Sequence, residues 1–300
     1  MQLRVTPINP SRQPSFAAQV SDIDLATRAS ASTVEQLWAA INQFSVLVIR
    51  NQHLHDEQLR DFAAQFGPLE VGRMAARGGA RRLPIPQIGD ISNLDTDGRV
   101  LTLNDRKRLD SLGNRLWHTD ASYMPVPVLL GMLHAVTLPG ASELGGGETE
   151  FADLRAAYDA LAPATQGVIN KLIAVHDIFH SRAQIGVTQF PAGEREQYPA
   201  SPLRLVRCHP GSGRNTLYLS AHAAYVQDWP VADGCLLLGD LSAHATQREF
   251  VYSHRWQVGG VVIWDNRCTM HRGRPHNESQ PRDPRRATTL EHESTIEEFA

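Results

Sequence analysis

Cysteine is scarce in this 300-residue chain: Cys208, Cys235 and Cys268 stand alone and far apart. No CxxC pair occurs, so a zinc knuckle is not indicated, and an odd, scattered set does not make a disulfide framework. An excess of charge of one sign is also lacking, since 29 Lys and Arg against 32 Asp and Glu leave a formal −3. That balance argues against a nucleic acid or an anionic membrane surface as partner. No apolar run approaches the length needed to span a bilayer, and the first seven residues hold no apolar signal core. A reducing cytoplasm is the expected compartment. Internal repeats and low-complexity linkers are missing as well. A single domain over residues 1–300 is therefore expected, long enough to bury a sizeable core.

The patterns that are present alternate between short strands and helices. Residues 1–30 read as short strands and turns around Pro10 and Pro14. Ser32 or Thr33 is the expected N-cap of a helix in which Val34, Leu37, Trp38 and Ile41 recur at helical spacing. The β-branched run 45–50 reads as a buried strand. A second helix is expected from about Asp56, with Leu59, Phe62, Ala63 and Phe66 as its stripe and Gly67-Pro68 as its stop. Residues 71–115 change character, with Gly78-Gly79, Arg81-Arg82, Pro84, Pro86 and only short apolar pieces such as Ile88 and Ile91. An irregular segment of that length inside a domain points to a lid.

Further on, residues 128–136 read as a buried strand, and Leu154, Ala157, Tyr158 and Leu161 share one helix face. Residues 175–200 read as loop. Strands are expected over 203–208, 216–220 and 260–264, and a helix over 236–249. Strands outnumber βαβ-type alternations, which favours a mainly β (α+β) fold, an antiparallel barrel or jelly roll with helices packed outside. Outer helices such as 33–43 are candidates for an interface in a homo-oligomer.

Thirteen histidines are a high count and raise the question of which bind something. In Trp117-His118-Thr119-Asp120, an extended backbone would send His118 and Asp120 to one face and Thr119 to the other. One imidazole nitrogen and one carboxylate oxygen can then bind the same ion. That is two thirds of a 2-His-1-carboxylate facial triad, which leaves positions open on non-heme Fe(II). A His-x-Asp tripeptide alone is common by chance, so the remainder of the chain has to supply the third ligand. His271 follows a strand-like run and a turn, where ligands are often mounted. Gly145-Gly146-Gly147-Glu148-Thr149 lets the backbone turn tightly and approach a ligand.

Near the end, Arg282 and Arg286 would share a face if that segment is a strand. Arginine suits bidentate binding of carboxylates, and two on one face suggest one co-substrate and one substrate carboxylate. The ordinary meaning of such a cluster is a solvated basic patch. Trp117 and Tyr123 flank the His-x-Asp motif and are candidates to wall an aromatic pocket, with core packing as the alternative. Two other classes remain open at this point. A zinc hydrolase could use the same His/His/Asp set, and a non-catalytic jelly roll could bind a small acid.

His118-Thr119-Asp120, Gly146-Gly147-Glu148-Thr149, His271 and the Arg282/Arg286 pair together resemble the Fe(II)/2-oxoglutarate dioxygenases related to taurine dioxygenase and 2,4-dichlorophenoxyacetate dioxygenase. The resemblance runs over nearly the whole chain and includes the stretches 62–69, 209–214, 245–250 and 264–267. The runs 148–161 and 245–267 are similar to the aryloxyacetate-cleaving branch. The resemblance implies a double-stranded β-helix core and an oxidoreductase that uses Fe(II), 2-oxoglutarate and O2, with ascorbate as a stimulant. It implies that His118, Asp120 and His271 hold Fe(II). Thr149 and Arg282 would bind the distal carboxylate of 2-oxoglutarate, and Arg286 the anionic group of the substrate. Arg73, Arg77 and Asn93 would be candidates to face that substrate. It further implies oxidative decarboxylation to succinate and CO2, coupled to hydroxylation of a small anionic substrate. An aryloxyalkanoate would be cleaved to a phenol and a 2-oxo acid; sulfonates, sulfate esters and other carboxylates are alternative substrates for the same chemistry.

Overall fold

A computed structural model describes residues 2–71, 81–140 and 146–291. Among these residues fifteen strands follow one another. They begin with β1 (Arg4–Pro7), β2 (Ala18–Ser21), β3 (Val46–Ile49), β4 (Gly89–Asp90), β5 (Val128–Thr137), β6 (Thr149–Asp153), β7 (Ile173–His176) and β8 (Ser201–Arg204). They continue with β9 (Val206–Cys208), β10 (Asn215–Leu217), β11 (Ala223–Val226), β12 (Val251–His254), β13 (Val261–Asp265), β14 (Thr269–Gly273) and β15 (Asp283–Leu290). The largest sheet has seven strands in the order β1-β2-β3-β13-β5-β15-β4. Only the β2–β3 pairing in it is parallel. A three-stranded sheet, β12-β6-β14, is antiparallel throughout. Two smaller sheets, β11-β7-β8 and β9-β10, complete the sheet-rich α+β architecture.

Period-two alternation explains how the large sheet carries two cores. Val46, Val48, Leu133, Val262 and Trp264 point to one side and meet Phe151 of β6. Their neighbours Leu47, Ile49, Leu130, Met132 and Ile263 point to the other and meet the helices Ala31–Phe44 and Asp56–Ala63. With both faces covered, every residue of β3 and β13 is buried, which is why these runs are apolar without alternation. Gly131 is required on the inner side, because a Cβ there would come within 2.2 Å of the Trp264 ring. A third core gathers the helices Leu154–Asp159 and Val231–Ala245 against Ala152, Leu217, Leu219 and Met270.

The first helix begins two or three residues earlier than the sequence suggests. Its N-cap is Ser30, whose hydroxyl accepts from the Thr33 N–H, rather than Ser32 or Thr33. The helix expected over 236–249 starts at Val231, directly after Pro230, and ends at Ala245. Residues 175–200 are not all loop: β7 ends in them, and the helices Ile178–Gln184 and Glu194–Gln197 follow. Within 81–115 the chain forms β4 and the helix Arg106–Ser111, tied down by an ionic cluster. Arg82 bridges Asp90 and Asp283 at 2.7 Å each, and Lys107 reaches Asp90 at 3.0 Å. Arg73 and Arg77 lie outside the described residues.

Candidate active site

His118 and His271 occupy opposite positions on two antiparallel segments. Their backbones exchange both hydrogen bonds, His118 N–H to His271 O at 3.0 Å and His271 N–H to His118 O at 2.8 Å. Residues opposed in this way project their side chains to the same face. The two rings accordingly sit with centroids 4.2 Å apart. Thr119 points the other way. Its hydroxyl lies 2.9 Å from Leu219 O and 3.0 Å from Thr269 O, pinning the segment between two chain stretches. The Asp120 N–H donates to Asn266 Oδ1 at 3.1 Å, and the same oxygen accepts from Trp264 Nε1. Ala121 then takes a left-handed φ of 45°, which turns the chain away immediately after the carboxylate.

Asp120 thereby lies between the two rings. Nε2 of His118 is 3.8 Å from Asp120 Oδ1, and Nε2 of His271 is 3.8 Å from Oδ2. All three residues are buried, and their ligand atoms fall within 4.8 Å of one another. His118 Nδ1 is 2.8 Å from Leu116 O, so Nδ1 carries the proton and the Nε2 lone pair faces Asp120. Burial lowers the pKa of both imidazoles, and His271 falls to about 3 with the neighbouring His118 adding to the effect. Both rings are therefore neutral near pH 7, the form that coordinates a metal. Two neutral imidazoles and one carboxylate on one face fit non-heme Fe(II).

Thr149 opens β6, opposite Gly273 on β14 and His254 on β12. Its hydroxyl oxygen accepts from Trp256 Nε1 at 3.0 Å, which leaves the hydroxyl hydrogen to point elsewhere. Gly147, with φ +73°, supplies the turn before it. A Cβ there would lie 3.0 Å from the His276 side chain and 3.6 Å from Arg282 Nε. Arg282 is half-buried, and burial lowers its pKa to about 10. Among the described residues no carboxylate offsets that shift or pairs with the guanidinium. A cation so placed is suited to an anionic ligand.

Arg286 donates from Nη1 to Asp120 Oδ1 at 3.2 Å, so it borders the histidine face. Arg285, between the two arginines, points away to Asp283 and Asp56. Simple alternation does not carry from Arg286 to Arg282, because Arg282 precedes β15 and the register shifts between Asp283 and Pro284. Trp117 alternates away from His118 and stacks beneath the Arg272 guanidinium at 4.6 Å. Tyr123 is buried edge-on to His222 and Tyr198, in a local core. Asn93 binds the backbone around Arg282. Trp256, Asn266 and Ser220 support the site in roles that the sequence reading does not assign, although the first two fall within the run 245–267. No local motif marks them, since their partners lie 100 or more residues away.

A sheet-rich α+β frame that brings two neutral histidines and an aspartate to one face, with Arg286 beside them, carries the donor set of a non-heme metal oxygenase. The chain belongs to the taurine catabolism dioxygenase TauD, TfdA family, whose model matches residues 4–288. It is 44% identical over 278 residues to the alpha-ketoglutarate-dependent 2,4-dichlorophenoxyacetate dioxygenase of Cupriavidus pinatubonensis, covering 93% of this chain and 96% of that one. It is 34% identical over 289 residues to the (S)-phenoxypropionate/alpha-ketoglutarate-dioxygenase of Delftia acidovorans, covering 93% and 92%. Among solved structures, AAD-2 in complex with Mn(II) and N-oxalylglycine superposes with a TM-score of 0.92 at 40% identity, covering 98% of this chain and all of that one. The protein is thus an alpha-ketoglutarate-dependent dioxygenase, an oxidoreductase that works with Fe(II), 2-oxoglutarate and O2. Among the described residues no helix is long and apolar enough to cross a membrane.

Proposed function

We propose that this dioxygenase hydroxylates a small aryloxyalkanoate, a 2,4-dichlorophenoxyacetate-like acid, and that His118, Asp120 and His271 hold its iron. The observation that carries the site assignment is the reciprocal backbone pairing of His118 and His271, which aims two neutral imidazoles at the Asp120 carboxylate. The substrate class rests on the names of the relatives. The jelly-roll core of the double-stranded β-helix type, in one domain, is supported by the way β6 packs Phe151 against the inner side of the seven-stranded sheet.

When bound, Fe(II) with 2-oxoglutarate and O2 supplies the oxidation that yields succinate, CO2 and a hydroxylated substrate. The chain binds and orients. Arg282 and the hydroxyl of Thr149 take the distal carboxylate of 2-oxoglutarate, the hydroxyl donating because its oxygen already accepts from Trp256. Arg286 takes the substrate carboxylate. Since Arg286 lies one hydrogen bond from Asp120, a bound acid has the carbon beside its carboxylate next to the histidine face. Hydroxylation of that carbon, which also bears the ether oxygen, gives a hemiacetal or hemiketal. Loss of the hydroxyl proton and cleavage of the C–O bond then release a phenol and a 2-oxo acid.

The test is a panel of aryloxyalkanoates, sulfonates and sulfate esters, assayed for 2-oxoglutarate-dependent succinate formation with Fe(II) and ascorbate. Phenoxyacetates are expected to stimulate succinate and to release a stoichiometric phenol. Stimulation by sulfate esters or sulfonates alone would overturn the substrate class.

A further inference from the structure

We infer that Asn93 is a positioning residue for the co-substrate, acting through Arg282. The inference rests on the reading above that Arg282 binds the distal carboxylate of 2-oxoglutarate. β4 and β15 pair in one register, Gly89 with Arg286 and Asp90 with Arg285. The same register, carried on, sets Asn93 opposite Arg282. There the ladder changes character. The Asn93 N–H donates to Arg282 O at 3.1 Å, as in a regular rung. The return bond does not go to the Asn93 carbonyl, which accepts from Leu101 N–H at 2.9 Å. The Arg282 N–H donates instead to the side-chain oxygen Oδ1 at 2.8 Å. The side-chain nitrogen Nδ2 donates to Gln280 O at 2.8 Å and Glu278 O at 3.2 Å.

Every polar group of Asn93 is therefore used, and four of its five hydrogen bonds hold the segment that presents Arg282. Only a short carboxamide offers an acceptor and two donors at that spacing. Arg282 gains from being held. Its guanidinium is partly desolvated with no carboxylate partner among the described residues, so an untethered backbone would let it swing towards water. Clasping the peptide on both sides keeps the guanidinium beside Gly147 before any carboxylate arrives. Asn93 thus couples the segment before Trp117 to co-substrate affinity, without touching the co-substrate itself.

The experiment measures binding of 2-oxoglutarate to the Mn(II)-loaded full chain under anaerobic conditions, by calorimetry. Asn93→Ala, Arg282→Ala and the double variant are compared with the unsubstituted chain, with Asn93→Ser as a milder replacement. Asn93→Ala is expected to weaken 2-oxoglutarate about tenfold, the scale of one or two lost hydrogen bonds. Mn(II) affinity and kcat for succinate formation should stay within about twofold, with KM for 2-oxoglutarate carrying the change. In the Arg282→Ala background, Asn93→Ala should add little. The inference is overturned if both Asn93 variants leave 2-oxoglutarate binding unchanged while Arg282→Ala weakens it. It is equally overturned if Mn(II) and 2-oxoglutarate affinities fall together, or if the double variant shows the full product of the single effects. Should Arg282→Ala leave 2-oxoglutarate binding intact, the assignment of Arg282 fails, and the inference with it.

Discussion

The roles proposed for His118 and Asp120 rest on alternation and on the pairing with His271, and they can be tested one residue at a time. His118→Ala and His271→Ala are each expected to abolish Fe(II)-dependent succinate formation, while far-UV circular dichroism and Tm stay near those of the unsubstituted protein. Near-normal turnover in either variant would remove that residue from the ligand set. Trp256→Phe keeps an aromatic ring, though a smaller one, and loses the indole N–H that fixes the Thr149 hydroxyl. It should raise the KM for 2-oxoglutarate about threefold to tenfold, as one hydrogen bond is worth, with little change in kcat. The His-x-Asp motif was legible because period two is a local property. Trp256 and Asn266 were not, because their significance arises only when distant segments meet. For Trp117 adjacency in sequence left pocket wall and core packing open, and alternation turns it to the far side, under Arg272.

At the scale of the element, the apolar runs of β3, β5 and β13 were readable because sheets covered on both faces need continuous hydrophobic stretches. Helix starts were less so. The first turn of Val231–Ala245 contains Ala232, Asp233 and Gly234, which give no stripe, and the signal appears only at Leu236. For Ile178–Gln184 the cap was present, since the Asp177 side chain accepts from Phe179 N–H, but the helix is too short for periodicity to register. Two elements also make predictions. In β5, Gly131→Ala places a methyl against the Trp264 ring, itself 4.9 Å from the His271 ring. It should cost about 1–3 kcal/mol in denaturant unfolding and also weaken metal binding.

The cluster joining β4 to β15 contributes to acid stability. Burial by itself would raise the Asp90 carboxyl, but hydrogen bonds from Arg82 and Ser92 and the Lys107 charge outweigh it. They hold Asp90 well below the usual carboxylate range. A group with a lowered folded pKa contributes stability above its ordinary pKa and loses it as pH falls towards the folded value. The stability difference between the unsubstituted chain and Asp90→Asn should therefore be constant above about pH 5 and shrink below about pH 4. Arg82→Ala leaves Asp90 and Asp283 without their shared partner and should lower stability by about 3 kcal/mol at neutral pH. Urea unfolding across pH reads both effects.

On the scale of the whole molecule, near-neutral charge and a sheet-rich composition narrowed the class, and dispersed motifs in the right order pointed to the family. Strand order was out of reach. β13 enters between β3 and β5, and β6 is flanked by β12 and β14, so neighbours in space are far apart along the chain. No local pattern encodes such pairings, since register and partner are set by which buried faces fit together. The overall signs of function were likewise legible only as a set. Each of His118, His271 and Arg286 is ordinary alone, and the neighbourhood they share with Asp120 gives them meaning.

The reciprocal rung between His118 and His271 has a kinetic consequence. It closes a loop of about half the chain, so the entropy of joining its ends falls due before either imidazole can share an ion. A contact between segments so far apart in the chain depends on the sheets that bring them together. The amide hydrogens of these two residues should then exchange with deuterium among the slowest in the protein, at the rate set by global unfolding. Added Mn(II) should slow them further in proportion to its occupancy. A substitution far from the histidine face that frays the sheets should then register as weaker Mn(II) binding.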